Sequence, residues 1–288
     1  MVVFFILIGI IELTLTIYED SLSKDLAHIN SFERISNNNN DILVIGNSLT
    51  REGINSQLIE RNINNRMKPK LKIGYIYPDD TSVIEWYHIF VNYYFQPKIY
   101  PKNLFIIFAQ DQLASSKIQF EEIQRISKYT QFESLFNIII DEGLSLSQSI
   151  DLYLSKVFRL YSNRERIKKR ILDIMPNYRT TVRKLNKKLK PNESKTEVKR
   201  KYSHLNKLIE LINKLNIQTT FIAIPISKPY IIDTELIKII NNSQYCRLVD
   251  FQSTTKYKEN DFIDGYHLGQ DGASKFTDQL VEIILSIK

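Results

Sequence analysis

Short, continuous apolar runs alternate with helical patterns along the chain, and this alternation constrains its fold more than any other feature. The run from Asp41 to Gly46 stops at a glycine and is typical of a strand buried on both faces. Further strands are predicted at 71–77, 104–108, 219–224 and 247–251. Because strands separated by helices form right-handed βαβ units, we predict an α/β fold with a mostly parallel sheet covered on both faces.

Three segments carry apolar residues at spacings of three to four, which predicts amphipathic helices. They are 54–63, the aromatic-rich 83–95 with a stripe that we expect in the core, and 272–287 at the end. The segment 112–201 breaks the simple alternation. We predict that it forms a long, largely helical insertion between the third and fourth strands.

Residues 1–17 are predicted to be an uncleaved single-span membrane anchor that leaves the rest of the chain outside the cytoplasm. The apolar run Val2 to Ile17 would span roughly 24 Å as a helix, slightly less than a hydrocarbon core. A buried first helix and the start of a longer membrane segment are the alternatives, and Glu12 argues for them. Residues 18–40 are predicted to be a linker, and 41–288 one large domain.

The net charge of +7 is concentrated in one segment. Lys156 to Lys201 contains 17 basic and four acidic residues, so the rest of the chain is net acidic. This segment is either a solvated helical face or a contact for anionic lipid headgroups or an anionic glycopolymer. Few aromatic residues are interleaved with these cations, so we expect no nucleic-acid partner.

Ser48 stands directly after the first predicted strand and before a helix. A serine at such a turn exposes its hydroxyl at the carboxyl edge of the sheet, near a helix N-terminus that favours negative charge. This placement suits a nucleophile whose attack creates an oxyanion. Alternatively, Ser48 only caps the following helix.

A second group, Asp264 and His267, lies just before the last helix. A histidine there can accept the serine proton and return it, and a carboxylate three residues earlier can hold the ring in the required tautomer. The spacing Asp-x-x-His by itself is common and weakly informative. Its value comes from its combination with Ser48.

The combined pattern is Gly-x-Ser-(x)4-Gly-Ile after the first strand and Asp-x-x-His-Leu-(x)3-Gly-Ala before the last helix. It resembles the SGNH (GDSL-type) hydrolase family. The resemblance implies a three-layer flavodoxin-like fold and acyl-ester chemistry, with Ser48 as nucleophile, His267 as base and Asp264 as orienting acid. No metal or cofactor is expected, since metal-ligand spacing and phosphate-binding glycine loops are absent from the sequence.

The resemblance also implies an oxyanion hole, which this chain would build differently. The family supplies a glycine N–H after the second strand and an asparagine amide after the third. Here Asp79 stands at the glycine position, with Gly74 as the alternative, and Gln110 stands near the asparagine position. Loss of one such donor costs about 3–4 kcal/mol in the transition state, so these departures bear on catalytic efficiency.

The expected function is that of a serine esterase or O-acyltransferase acting on acyl, typically acetyl, esters of a cell-surface carbohydrate or glycopolymer. An anchor followed at once by the nucleophile strand resembles membrane-tethered family members that modify such polymers. One alternative is a catalytically weak protein that keeps the fold for binding or assembly in a cell-surface polysaccharide pathway. Another is a basic adaptor at the membrane surface.

Overall fold

The structure is a computed structural model with two compact units. The larger comprises 20–118 and 202–288, and the smaller comprises 1–19 and 119–201. The predicted linker 18–40, most of the basic segment and most of the predicted anchor lie outside the described residues. Described are residues 6, 9–15, 41–68, 70–114, 118–164, 167–168, 200–252, 257–264 and 266–286.

The secondary structure alternates between strands and helices, as the sequence predicts. In chain order the elements are β1 (Ile42–Ile45), α1 (Ser48–Gly53), α2 (Ser56–Arg66), β2 (Ile73–Ile76), α3 (Val83–Phe90), β3 (Asn103–Phe108), α4 (Phe120–Lys128), α5 (Leu135–Glu142), α6 (Leu146–Val157), α7 (Arg159–Ser162), α8 (Ser203–Leu215), β4 (Gln218–Ala223), α9 (Thr234–Asn241), β5 (Cys246–Asp250) and α10 (Gln270–Leu285).

The five strands form one parallel sheet in the larger unit, with the order β2-β1-β3-β4-β5. This is the flavodoxin-like doubly wound order, which confirms the predicted fold class. The chain leaves β1 toward β2 and returns on the other side as β3. Ligand sites in such sheets lie beyond the carboxyl ends of the strands at this reversal, and Ser48 follows β1 directly.

The three central strands β1, β3 and β4 are buried because helices cover both faces of the sheet, whereas the edge strands β2 and β5 are only partly buried. Val44, Phe105 and Ile222 belong to a core cluster that includes Ile59 of α2 and Phe276 of α10. The alternate residues of the strands point to the other face of the sheet. Helices α3 and α8 pack against each other. The predicted helical stripe of Trp86, Phe90 and Tyr94 is fully buried, so its assignment to the core is confirmed.

Local structure differs from the prediction after β1 and after α3. The helix predicted from 54–63 is preceded by a separate six-residue helix, α1. The two are divided at Asn55, whose extended backbone lets its side chain accept a hydrogen bond from Leu58 N at 3.0 Å and start α2 anew. The helix predicted over 83–95 becomes a π-helix at Val91–Phe95.

The smaller unit contains α4 to α7 and the helical residues 9–15. Helices α4 to α7 lie between β3 and β4 in the sequence, within the segment 112–201 for which a helical insertion was predicted. Within the part of the chain that the structure describes, none of the helices has the length and apolar character needed to cross a membrane.

Candidate active site

Ser48 is the first residue of α1 and is free of the capping role that was its alternative assignment. The helix cap is Asn47, whose Oδ1 accepts a hydrogen bond from Leu49 N at 3.0 Å. Gly46 allows the tight turn between β1 and α1. A Cβ there would lie 1.9 Å from Thr50 Oγ1 and 3.1 Å from the carbonyl oxygen of Ile107. The turn therefore leaves the Ser48 hydroxyl available for another partner.

That partner is His267, although 219 residues separate the two in sequence. Ser48 Oγ lies 3.2 Å from His267 Nε2, and His267 Nδ1 lies 2.8 Å from Asp264 Oδ2. The other carboxylate oxygen of Asp264 accepts hydrogen bonds from the backbone N–H groups of His267 at 2.8 Å and Tyr266 at 2.9 Å. The structure thus brings hydroxyl, imidazole and carboxylate together in the order that proton transfer requires.

Asp264 is ionised under ordinary conditions. The backbone N–H of His267, and then its side chain, donate hydrogen bonds that lower the pKa of the Asp264 carboxyl to about 2. The charged carboxylate, 2.8 Å from Nδ1, favours the imidazole tautomer that carries its proton on Nδ1. Nε2 of His267 can then accept a hydrogen bond from Ser48. The side chain of Asp264 is half exposed, so solvent screens its charge.

The loop that carries Asp264 and His267 is fixed at both ends. Phe262 and Leu268 form an antiparallel bridge at its base. The buried Asp261 binds Lys275 of α10 through both carboxylate oxygens at 2.8 Å, which holds the pKa of this carboxyl below its usual value. Gly272 is required beneath the loop, since a Cβ there would lie 2.5 Å from the carbonyl oxygen of Asp261. The sequence motif contained Asp261 without indicating this anchoring role.

The Ser48 turn is also tied to the turn that follows β2. Asn47 Nδ2 donates to the carbonyl oxygen of Thr81 at 3.1 Å. The Thr81 hydroxyl donates to the carbonyl oxygen of Pro78 at 2.9 Å and accepts from Trp86 Nε1 at 3.0 Å. Asn47, Thr81 and Trp86 are buried, so these bonds fix the turn at 78–82 beside Ser48.

Three residues were considered for the oxyanion hole. Of these, Asp79 lines the cavity into which Ser48 opens, called the Ser48 cavity below. Gly74 lies inside β2, where it pairs with Leu43 of β1, five positions before Ser48. It is not among the residues that line this cavity. Gln110 does not line the cavity either; it follows β3 in a left-handed conformation with φ of 48° and is exposed. Its side-chain oxygen accepts a hydrogen bond from the Tyr266 hydroxyl, which links it to the loop that carries His267.

Asp79 is held by a cation that the sequence analysis did not single out. The Arg51 guanidinium forms ion pairs with Asp79 and, at 3.1 Å, with Glu52. Burial opposes the charge of Arg51, but the hydrogen bond and Coulomb attraction from Asp79 outweigh it and raise the pKa of the guanidinium. No motif could have revealed this pair, since Arg51 and Asp79 meet only because β1 and β2 are neighbours in the sheet.

Ser48 opens into a cavity of about 390 Å³. A second cavity of about 430 Å³ shares Arg51 and Glu52 with the first. The first is lined by Ser48, Arg51, Glu52, Asp79, Ile263, Asp264 and His267. The second is lined by Arg51, Glu52, Ile54, Asn55, Ser56, Gln57, Tyr77, Gln270, Ala273 and Ser274.

Fold and site together define a doubly wound α/β domain with a linked serine, histidine and aspartate at the carboxyl edge of its sheet. No protein-family model and no curated protein matches the sequence. Solved structures with some similarity include an acetyl xylan esterase, with a TM-score of 0.42 and 9% identity over 84% of this chain and 99% of that one.

Two further solved structures are similar at the same level. One is an α/β hydrolase enzyme from the metagenome of Lake Arreo in Spain, with a TM-score of 0.40 and 10% identity over 86% of this chain and 96% of that one. The other is a lipase/acylhydrolase from Enterococcus faecalis, with a TM-score of 0.37 and 13% identity over 84% and 94%.

Proposed function

We propose that the chain is a serine esterase or O-acyltransferase of the SGNH type. The observation that carries this proposal is the continuous path from Ser48 Oγ through the imidazole of His267 to the ionised Asp264, next to an open cavity. The order of these groups and their hydrogen-bond distances fit a nucleophile, a general base and an orienting acid.

The proposed reaction has two halves. His267 Nε2 takes the proton of Ser48 as Oγ attacks the carbonyl carbon of an acyl ester, and a tetrahedral oxyanion forms. When this intermediate collapses, the bond to the leaving alcohol breaks, His267 returns the proton to that alcohol, and the acyl group stays on Ser48. Water or a sugar hydroxyl then gives its proton to His267, attacks the acyl-enzyme and releases Ser48.

Stabilisation of the oxyanion is assigned to the backbone N–H of Asp79 and the side-chain amide of Gln110. The Asp79 carboxylate alone would oppose a developing negative charge. Arg51 counters it by pairing with that carboxylate. The side-chain oxygen of Gln110 accepts a hydrogen bond from the Tyr266 hydroxyl. Its NH₂ group is therefore the part of the amide that can donate to the oxyanion.

The carbohydrate part of the proposal is supported by the second cavity. Its lining is rich in amide and hydroxyl groups, which donate to and accept from sugar hydroxyls, and it includes the ring of Tyr77. Its exposed amides are Asn55, which caps α2, and the glutamines Gln57 and Gln270. Replacement of the two glutamines by alanine is expected to raise KM for an acetylated oligosaccharide and leave KM for p-nitrophenyl acetate unchanged. An equal effect on both substrates would contradict a sugar site in this cavity.

The proposed location is a membrane, with residues 41–288 outside the cytoplasm. The support is the apolar composition of residues 2–17. The full chain with a C-terminal tag should resist extraction by alkaline carbonate, and protease added to intact spheroplasts should remove the tag. A protected tag would place the domain in the cytoplasm and contradict this location.

The test of the proposed function is activity on acetyl esters. Purified full-length protein should hydrolyse p-nitrophenyl acetate or transfer its acetyl group to an added oligosaccharide, and Ser48→Ala should lower kcat by roughly 10⁴-fold or more. Ser286→Ala is the matched control, because its hydroxyl donates only to the backbone oxygen of Ile283. No activity above background in the wild type, or activity retained in Ser48→Ala, would assign the fold to binding rather than catalysis.

A further inference from the structure

Among the described residues that line the Ser48 cavity, Ile263 alone is apolar. The others carry a hydroxyl, an imidazole or a charge. The side chains of Glu52, Asp79 and Asp264 are partly exposed to water in this cavity. Ligand pockets are usually lined mainly by apolar side chains, so a single apolar contact among charges indicates a ligand whose apolar part is small.

Ile263 is exposed although its loop is held in place. Its side chain is 72% exposed. Its backbone N–H donates to the carbonyl oxygen of His267 at 2.9 Å, inside the bridge that Phe262 forms with Leu268. A Cβ at Gly269 would lie 3.5 Å from Ile263 Cγ1, so the side chain rests on the backbone of Gly269. Ile263 therefore presents an apolar surface at a defined place in the Ser48 cavity.

The relation between the two cavities indicates which part of an ester faces Ile263. Arg51 and Glu52 line both cavities, so they mark the side on which the Ser48 cavity meets the second one. Ile263 lines only the Ser48 cavity of the two. Because the second cavity is the proposed sugar site, the alcohol part of the ester extends from Ser48 past Arg51 and Glu52. The acyl part therefore faces the side that carries Ile263.

The acyl group is also the part of the substrate that stays longest in the cavity. It is bound to Ser48 Oγ from the collapse of the first tetrahedral intermediate until water or a sugar hydroxyl attacks, so its contacts act on both halves of the proposed reaction. An acetyl group has one apolar part, its methyl. Contact between this methyl and Ile263 removes apolar surface of both from water, which is favourable.

A longer acyl chain finds no second apolar side chain among the described residues of this lining. Its further methylenes would lie against the carboxylates of Asp79 and Asp264 or the guanidinium of Arg51 and displace water from them. A charged group that loses water without gaining a hydrogen bond costs more free energy than a buried methylene contributes. Binding should therefore weaken as the acyl chain grows.

We propose that Ile263 determines the preference for a short acyl group, acetyl, by packing against its methyl group in the acyl-enzyme. This inference rests on the proposed esterase function and adds the residue that sets its acyl specificity. The contribution of Ile263 must then depend on the acyl group of the substrate.

The test compares p-nitrophenyl formate, which lacks the methyl group, with p-nitrophenyl acetate. Every assay contains the same oligosaccharide acceptor, so hydrolysis and transfer both release p-nitrophenol. For each ester, kcat/KM of the variant is divided by that of the wild type, so the intrinsic reactivity of the ester cancels. Ile263→Ala should lower this ratio roughly fourfold for acetate, the effect of one buried carbon group, and leave it unchanged for formate.

Ile231→Ala is the matched control, because Ile231 is an isoleucine of the same unit that is 89% exposed and does not line either cavity. It should change neither ratio. Ile263→Val keeps a branched apolar side chain and should retain most of the acetate activity. The unfolding midpoint in urea checks that each variant is folded.

Equal losses for formate and acetate in Ile263→Ala would show that Ile263 acts on the His267 loop rather than on the acyl group, and would overturn the proposal. Wild-type activity of this variant on acetate would overturn it as well. In both cases the esterase function itself would stand. A wild-type protein without activity on either ester would contradict the esterase function and this inference together.

The charged lining has its own test in the wild type. After correction for the rates of alkaline hydrolysis, kcat/KM should fall about tenfold or more from p-nitrophenyl acetate to the butyrate, because the longer chain displaces water from charged groups. An efficiency that stays constant or rises with chain length would overturn the preference for a short acyl group.

Discussion

The loop around His267 and the residues around Asp79 are two parts of one site, and they are built differently. In the loop, both carboxylate oxygens of Asp264 are used, one by the imidazole and one by two backbone N–H groups. Around Asp79, a carboxylate lines the cavity where negative charge would develop, and the partly buried Arg51 pairs with it.

The two parts should therefore respond differently to mutation. The loop provides proton transfer through short hydrogen bonds between adjacent groups, so any single loss there removes the function of the whole relay. The Asp79 region provides charge balance between two ionised side chains, so a loss there is graded and can be reversed by removing the opposite charge.

The largest effect is expected from removal of the base. His267→Ala should lower kcat for p-nitrophenyl acetate by about 10⁶-fold, as expected when one member of a cooperating triad is lost. Steady-state kinetics at neutral pH measure this. The unfolding midpoint in urea serves as the control for folding. A loss below tenfold would show that His267 is not the base.

Asp264→Asn should have the next largest effect, about 10⁴-fold in kcat, because an amide no longer selects the productive imidazole tautomer. The same variant should change acid stability. Folded Asp264 has a pKa of about 2, below the value of about 4 in an unfolded chain, so its contribution is present above about pH 4 and is lost as the pH falls toward 2. Urea unfolding across this range should be less pH-dependent in Asp264→Asn, and an unchanged slope would contradict the assignment.

Arg51→Gln should lower kcat by roughly 10- to 100-fold, because the unpaired Asp79 carboxylate then opposes the oxyanion. The double variant with Asp79→Asn should recover most of this loss. Arg66→Gln is the matched control, since Arg66 pairs with Glu282 at the exposed surface and should have no effect. Failure of the double variant to recover would show that Arg51 acts other than by neutralising Asp79.

The smallest effect is expected at Tyr266. Tyr266→Phe removes the hydroxyl that donates to Gln110 and should lower kcat about three- to tenfold without changing KM, the size of one hydrogen bond. Gln110→Ala should cost more. In a double-mutant cycle the two losses should not add, since Tyr266 acts through Gln110. Additive losses would show that Tyr266 does not act through the amide of Gln110.

The fold was predictable from the sequence because its central strands are buried on both faces. Continuous apolar runs located β1, β3 and β4 within one or two residues, and no exposed face had to be inferred. The separation of α1 from α2 was not predictable from periodicity, because it depends on the local backbone at Asn55. The exposure of Phe136 and Ile140 on α5 was also missed, since spacing predicts a shared helix face but not whether another element covers it.

Within the site, sequence spacing led to Ser48, Asp264 and His267, which the structure brings to hydrogen-bond distance. Arg51 was missed because its partner stands 28 positions later and no local pattern links the two. The contact of Tyr266 with Gln110, 156 positions apart, was missed for the same reason. Such pairings follow from the order of the strands, which becomes known only with the fold.

Covalent labelling tests whether Ser48 is a nucleophile activated by His267. Full-length protein is treated with a fluorophosphonate, and the modified residue is identified by peptide mass spectrometry. We expect one adduct, on Ser48, that is absent from Ser48→Ala and forms roughly 10³-fold more slowly in His267→Ala. Labelling at another serine, or an undiminished rate in His267→Ala, would contradict it.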